Sequence, residues 1–103
     1  MNIQKMLKEA QRMQQRMTET QEELASQSVE GTAGGGKVTV VANGAGEIQS
    51  IKIDPQIVDP SDVDFLQELI LAAVQDAVAK AKELSGSAMS KITGNLPGLG
   101  GLF

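Results

Sequence analysis

Histidine and cysteine are both absent from this 103-residue chain. Without cysteine there is no disulfide framework and no thiolate metal site. Without either residue, zinc sites of the usual kinds are excluded, as is any mechanism with an imidazole base. Tyrosine and tryptophan are also missing, and Phe65 and Phe103 are the only aromatic residues. Proteins that hold single strands stack bases on aromatic platforms, which this chain cannot build. A nucleic-acid partner would therefore be met at its duplex backbone. No run of about 18 apolar residues occurs, so no transmembrane helix is expected. The start, Met1-Asn2-Ile3-Gln4-Lys5, lacks the apolar stretch of a signal peptide. The expectation is one soluble, cytoplasmic domain over residues 1–94, followed by a flexible Gly-rich tail over 95–103.

The chain carries nine basic and thirteen acidic residues, for a net charge of −4. That sum disfavours an acidic partner, but distribution counts for more than the sum. Residues 1–16 hold Lys5, Lys8, Arg12 and Arg16 against Glu9, a balance of +3. Residues 17–30 hold Glu19, Glu22, Glu23 and Glu30 and no base, a balance of −4.

Residues 2–26 contain no Gly or Pro and read as one helix. Ile3, Ala10, Met17 and Leu24 recur every seven residues, with Met6, Met13 and Thr20 between them. This is a narrow, Met-rich heptad seam. It admits two partners: a helix of another molecule, or the second helix of this chain. Period-two patterning then begins. Val29, Gly31 and Ala33 share one face of a first strand, Val38, Val40 and Ala42 one face of a second. Asn43-Gly44-Ala45-Gly46 marks a hairpin, and Glu47 to Ile53 the returning strand. Ile48 is out of phase with Ile51 and Ile53, which predicts a bulge near Gln49-Ser50. Asp54-Pro55 ends the strand. Asp59-Pro60-Ser61-Asp62 reads as the start of a second helix, running to about Gly86 and resuming to Ile92. The order is α-β-β-β-α, an α+β fold with a three-stranded antiparallel sheet between two long helices.

The middle of the second helix, Leu69 to Val74, is apolar on every side. One small sheet covers one side only, so a second copy of the chain is the expected cover for the rest. Leu66, Leu69, Ile70, Ala73, Val74 and Ala77 are the candidates for that homodimer interface.

Gly31-Thr32-Ala33-Gly34-Gly35-Gly36-Lys37 matches the first seven positions of a phosphate-binding P-loop. The context fails: Val38 stands where a hydroxyl must hold Mg²⁺, and a strand follows where a helix is needed. Asp54, Asp59, Asp62 and Asp64 are accounted for by strand termination and helix capping. No catalytic constellation, metal site or cofactor site emerges, so the chain reads as a binding protein and not an enzyme. Lys5, Lys8, Arg12 and Arg16 fall within about 80° of arc at 100° per residue, away from the seam. Cations near a helix N-terminus oppose its dipole, so they do not serve the helix. The stripe is either a solvated face or a ridge that tracks phosphates.

In the order they occur, several segments resemble the YbaB/EbfC family of bacterial nucleoid-associated proteins. They are Met6-Leu7-Lys8-Glu9-Ala10-Gln11, Gly34-Gly35-Gly36, Lys37-Val38-Thr39-Val40, Asn43-Gly44 and Ile51-Lys52-Ile53-Asp54-Pro55. Leu66 to Ala81 follows, then Met89 and Lys91-Ile92-Thr93-Gly94. The resemblance covers residues 1–96. It implies a tweezer-like homodimer that binds duplex DNA in the nucleoid, with roles in DNA organisation and gene expression. It places the DNA-binding surface on the helical arms, here Lys5, Lys8, Arg12 and Arg16, with Lys80, Lys82 and Lys91 as further candidates.

Overall fold

The computed structural model describes residues 2–93, so the expected tail lies outside the described residues. Helix α1 spans Ile3–Ser26. It starts where the Asn2 side chain accepts a hydrogen bond from the Lys5 amide at 3.2 Å, satisfying one of the free donors of the first turn. Strands β1 (Ser28–Ala33), β2 (Val38–Asn43) and β3 (Ile48–Ile53) form an antiparallel sheet in the order β1-β2-β3. A short 3-10 turn, Pro55–Ile57, follows, and helix α2 runs from Val63 to Thr93. This is the α-β-β-β-α order read from the sequence.

The strand alternation places Val38, Val40 and Ala42 on one face, all at 0% exposure. Burying a valine side chain contributes about 1.5–3 kcal/mol, so these positions anchor the sheet. The predicted bulge is present. Val41 pairs with Ser50 and Ala42 with Ile48, which leaves Gln49 as the extra residue. Gly34, Gly35 and Gly36 turn β1 into β2 with φ of 64°, 67° and 88°, a conformation only glycine adopts freely. Lys37, the lysine of the P-loop echo, pairs with Asp54 at 3.2 Å.

α2 lies mainly over β1 and β2. Its approach is close because Ala73 and Ala77 face Gly31, where even a methyl group would run into the α2 backbone. Ala73 and Ala77 are both at 0% exposure inside the chain's own core. This corrects the expectation that they form a subunit interface, since they have no surface left to offer a second copy. Leu69 also packs on this core and borders Gly34. Helix α2 does not break at Gly86, as the sequence suggested, but continues through it. Leu84 and Ala88 on either side line the contact with α1, and that packing outweighs the ~1 kcal/mol cost of a helical glycine.

The two helices run antiparallel. Leu24 and Gln27 of α1 lie against Leu84 and Ala88, and Arg16 lies near Lys91 and Ile92. The hairpin holds the end of α1. The Gly44 amide donates to Leu24 O at 2.8 Å and Gln27 O at 3.0 Å, and Asn43 Nδ2 donates to Ala25 O at 3.3 Å. These donors satisfy carbonyls that a helix C-terminus leaves open. The rest of α1 reaches away, and the radius of gyration is 19.6 Å, against about 13 Å for a compact chain of this length.

Candidate nucleic-acid interface

The basic stripe of α1 is bare. Lys5, Lys8, Arg12 and Arg16 are exposed, and among the described residues none of their side chains is in an ion pair. The four span about 16 Å of helix at 1.5 Å per residue. Lys37 and Lys80 are instead paired with carboxylates. Lys80 Nζ donates to Asp76 Oδ2 at 3.1 Å and to Glu30 O at 2.9 Å, tying α2 to β1. Of the expected DNA-binding residues, Lys80 is therefore engaged within the chain. Lys82 is exposed and lies toward the hairpin loop, beside Gly44 to Gly46. Lys91 is exposed on the last turns of α2 and shares a groove of about 370 Å³ with Arg16, Thr20, Glu23 and Leu24. Arg16 and Lys91, 75 positions apart in the chain, thus line the same groove between α1 and α2. The antiparallel course of the helices brings both to that groove, and no local motif announces it.

Three carboxylates titrate below their ordinary range. Asp54 is lowered by the Gln56 amide and then by the Lys37 ammonium. Asp59 is lowered by the Ser61 hydroxyl and amide, and Asp76 by the Thr32 amide and then by Lys80. All three sit at structural junctions, away from the α1 stripe. No group of three or more acidic side chains among the described residues is arranged to hold a metal ion.

The apolar seam of α1 is divided. Leu24 is 4% exposed, while Ile3, Met6 and Met17 are 68%, 54% and 38% exposed. The second helix of this chain covers the C-terminal end of the seam and leaves the N-terminal part unpartnered. The body has a second uncovered apolar face. Cross-strand pairing puts Ile48 and Ile51 on the same side of the sheet as Val40 and Ala42, beyond the reach of α2. The flank of α2 turned toward them carries Ile70, Leu71, Val74 and Val78. The opposite flank is fixed against β1 by Asp76 and Lys80. Leu71, Ile51 and Ile48 are 57%, 46% and 42% exposed. Leu66, Ile70 and Val74, three of the expected interface residues, are half-buried, and Ile70 and Val74 pack on the chain's own core.

The model of the YbaB/EbfC DNA-binding family matches residues 1–96. This chain belongs to that family. A nucleoid-associated protein of Acetivibrio thermocellus is 54% identical over 102 residues, covering 99% of this chain and 90% of the relative. Another, from Chloroflexus aurantiacus, is 52% identical over 99 residues, covering 96% and 99%. The fold is shared with a crystal structure of an uncharacterised Helicobacter pylori protein at a TM-score of 0.80 and 21% identity. That match covers 89% of this chain and 97% of the other. The α1 stripe is exposed, whereas Lys80 is tied to Asp76 and Glu30. No described helix is long and apolar enough to cross a membrane.

Proposed function

We propose that this YbaB/EbfC chain is a nucleoid-associated protein that binds duplex DNA as a homodimer, gripping the phosphate backbone with the basic face of α1. The observation that carries this reading is the α1 stripe: four cations on one exposed face with no carboxylate partner among the described residues. Lys91, in the groove that Arg16 also lines, adds a cation at the α1–α2 junction, and Lys82 adds one near the hairpin. Backbone contact implies weak sequence preference and a role in organising DNA and modulating expression in the cytoplasmic nucleoid. The exposed trough of Ile48, Ile51, Leu71 and Val74 supports the dimer, because a monomer would leave this apolar surface in water.

Fluorescence anisotropy with a labelled duplex across a salt series tests the DNA reading. Eight stripe cations per dimer set an upper bound of about −7 on the slope of log K against log salt. Salt-independent or absent binding at micromolar protein removes DNA from the proposal. It would favour the other reading of α1, an adaptor that recruits a partner helix through its seam. Sedimentation tests the dimer separately: a stable 10.8 kDa species at micromolar concentration contradicts it.

A further inference from the structure

Asparagine followed by glycine is the dipeptide most open to attack on its own side chain, because glycine has no Cβ to obstruct the ring that must close. Asn2 precedes Ile3 and Asn95 precedes Leu96; only Asn43 precedes a glycine. Asn43 ends β2 at the hairpin, 4% exposed, against the last turn of α1. Every atom the attack needs is held there. The Gly44 amide, the nucleophile, donates to Leu24 O at 2.8 Å and to Gln27 O at 3.0 Å. Asn43 Nδ2, the leaving group, donates to Ala25 O at 3.3 Å and to Glu47 Oε1 at 2.9 Å. Asn43 Oδ1 accepts from the amides of Ala45 at 3.1 Å and Glu47 at 2.9 Å. Leu24 and Ala25 belong to α1, and Gln27 directly follows it. We propose that Asn43 is a deamidation site gated by the root of α1, and that its conversion to a carboxylate makes release of that root permanent.

The reaction consumes only water. The Gly44 nitrogen loses its proton to solvent and bonds to Asn43 Cγ. The Cγ–Nδ2 bond breaks, and Nδ2 takes up a proton and leaves as ammonia. The cyclic imide so formed adds water at one of its two carbonyls and opens to aspartate or isoaspartate. In sum, asparagine and water give an acid and ammonia. A Gly44 amide held by two carbonyls does not give up its proton. The rate is therefore set by the fraction of molecules in which the end of α1 has lifted, a local opening that costs less than unfolding the sheet.

The product does not fit back. A carboxylate has no proton to donate, so the oxygen in place of Nδ2 would stand against Ala25 O and the Glu47 carboxylate. Burying that charge against two acceptors is worse than losing the two hydrogen bonds. Isoaspartate also adds a methylene to the backbone and disturbs the Ser28–Asn43 pairing at the end of β2. The packing itself demands the labile dipeptide, since a Cβ at position 44 would meet Leu24 O at 2.7 Å. This inference stands without the DNA reading and is tested without DNA.

The full-length protein is aged at mildly alkaline pH, and peptide mapping by mass spectrometry follows acid formation at Asn43, with Asn2 as the internal reference. Asn43 is expected to react slowly in the native protein and fast in the urea-unfolded chain. Leu24→Ala should speed the native reaction on the order of tenfold or more, while Asn2 keeps its rate. In the wild type, urea too dilute to unfold the sheet should speed Asn43 in step with hydrogen exchange of residues 21–27. This series needs no variant. Asn43→Asp, the product made directly, should lose amide protection at residues 21–27 while residues 38–42 keep theirs. A native protein that forms no acid at Asn43 overturns the proposal. So does a rate that follows unfolding of the sheet instead of exchange at residues 21–27, or one that Leu24→Ala leaves unchanged. Wild-type protection of residues 21–27 in Asn43→Asp overturns the permanent release.

Discussion

Replacing Gly31 with alanine should lift α2 from the sheet. A methyl group there would lie 2.8 Å from Ala77 Cα and closer still to Ala77 N and Ala73 O, all of them backbone atoms. No side chain can rotate away, so α2 must move outward by roughly an ångström across an interior packed like a crystal. Overpacking costs ~1–3 kcal/mol, and a backbone obstacle puts this case at the upper end. A loss of about 2–3 kcal/mol is a large share of a total stability of about 5–15 kcal/mol. In a domain this size it lowers Tm by roughly 10–20 °C. Thermal melting followed by far-UV circular dichroism reads the shift, and urea titration gives the free energy. Gly86→Ala is the control, because nothing lies within 4 Å of its new methyl and the site is helical. It should stabilise by up to ~1 kcal/mol. If Gly31→Ala melts with the wild type, or Gly86→Ala falls equally, the close-packing argument is wrong.

The junction between α1 and the hairpin is open to similar tests. Gly44→Ala places a methyl 2.7 Å from Leu24 O, so amide protection in residues 21–27 should drop before the sheet loosens, as hydrogen exchange can show. Asn43 is buried and bonds Ala25, Ala45 and Glu47, and Asn43→Ala should cost about 2–3 kcal/mol in urea unfolding. Reversing Lys8 and Arg12 to Glu should abolish duplex binding in anisotropy while sedimentation shows the dimer intact; unchanged affinity removes the stripe from the model. Leu71→Glu, at a site already 57% exposed, should split the dimer without unfolding the chain, which sedimentation with circular dichroism will distinguish. Asp54, Asp59 and Asp76 are lowered from 3.8 in the folded state. Their contribution to stability is present above that value and is lost as pH falls through the lower folded values. Asp76→Asn should flatten the acid limb of a stability–pH curve below 3.8 and leave its shape above pH 5 unchanged.

Much of this architecture is written in local patterns. The heptads of α1, the alternation of β2 and the phase slip at Ile48 each reflect a backbone period, and each appears in the fold where the pattern places it. The orientation of α2 was harder to read, because a helix apolar all round does not say which side meets its own sheet. The informative signal was the four-residue spacing of Ala73, Ala77 and Ala81 together with Gly31 in an edge strand. Small residues on both sides mark a close backbone approach. Lys80 looked like one more surface cation, yet Asp76 four residues earlier already offered it a partner. The stripe was legible because it lies on one helix. The groove that Arg16 and Lys91 share depends on how two distant helices cross, which no local period encodes. The continuity of α2 through Gly86 is not legible locally, because propensity penalises Gly86 while the surroundings of Leu84 and Ala88 that override it are long-range.

The clamp at the C-terminal end of α1 gives the helix a mechanical character. Support from α2 begins at Arg16, about 16 Å from Lys5 along the axis. A rod held at one end converts angle into travel, here ~0.3 Å at Lys5 for each degree of rotation at the root, by the same rise per residue. A swing of about 10° therefore carries the leading cation by about 3 Å, close to the 3.4 Å axial step between successive phosphates of one strand. The packing of α2 against α1 at Arg16 thus acts as a gauge. Small changes in how the two helices pack there would shift the charged tip by about one phosphate step.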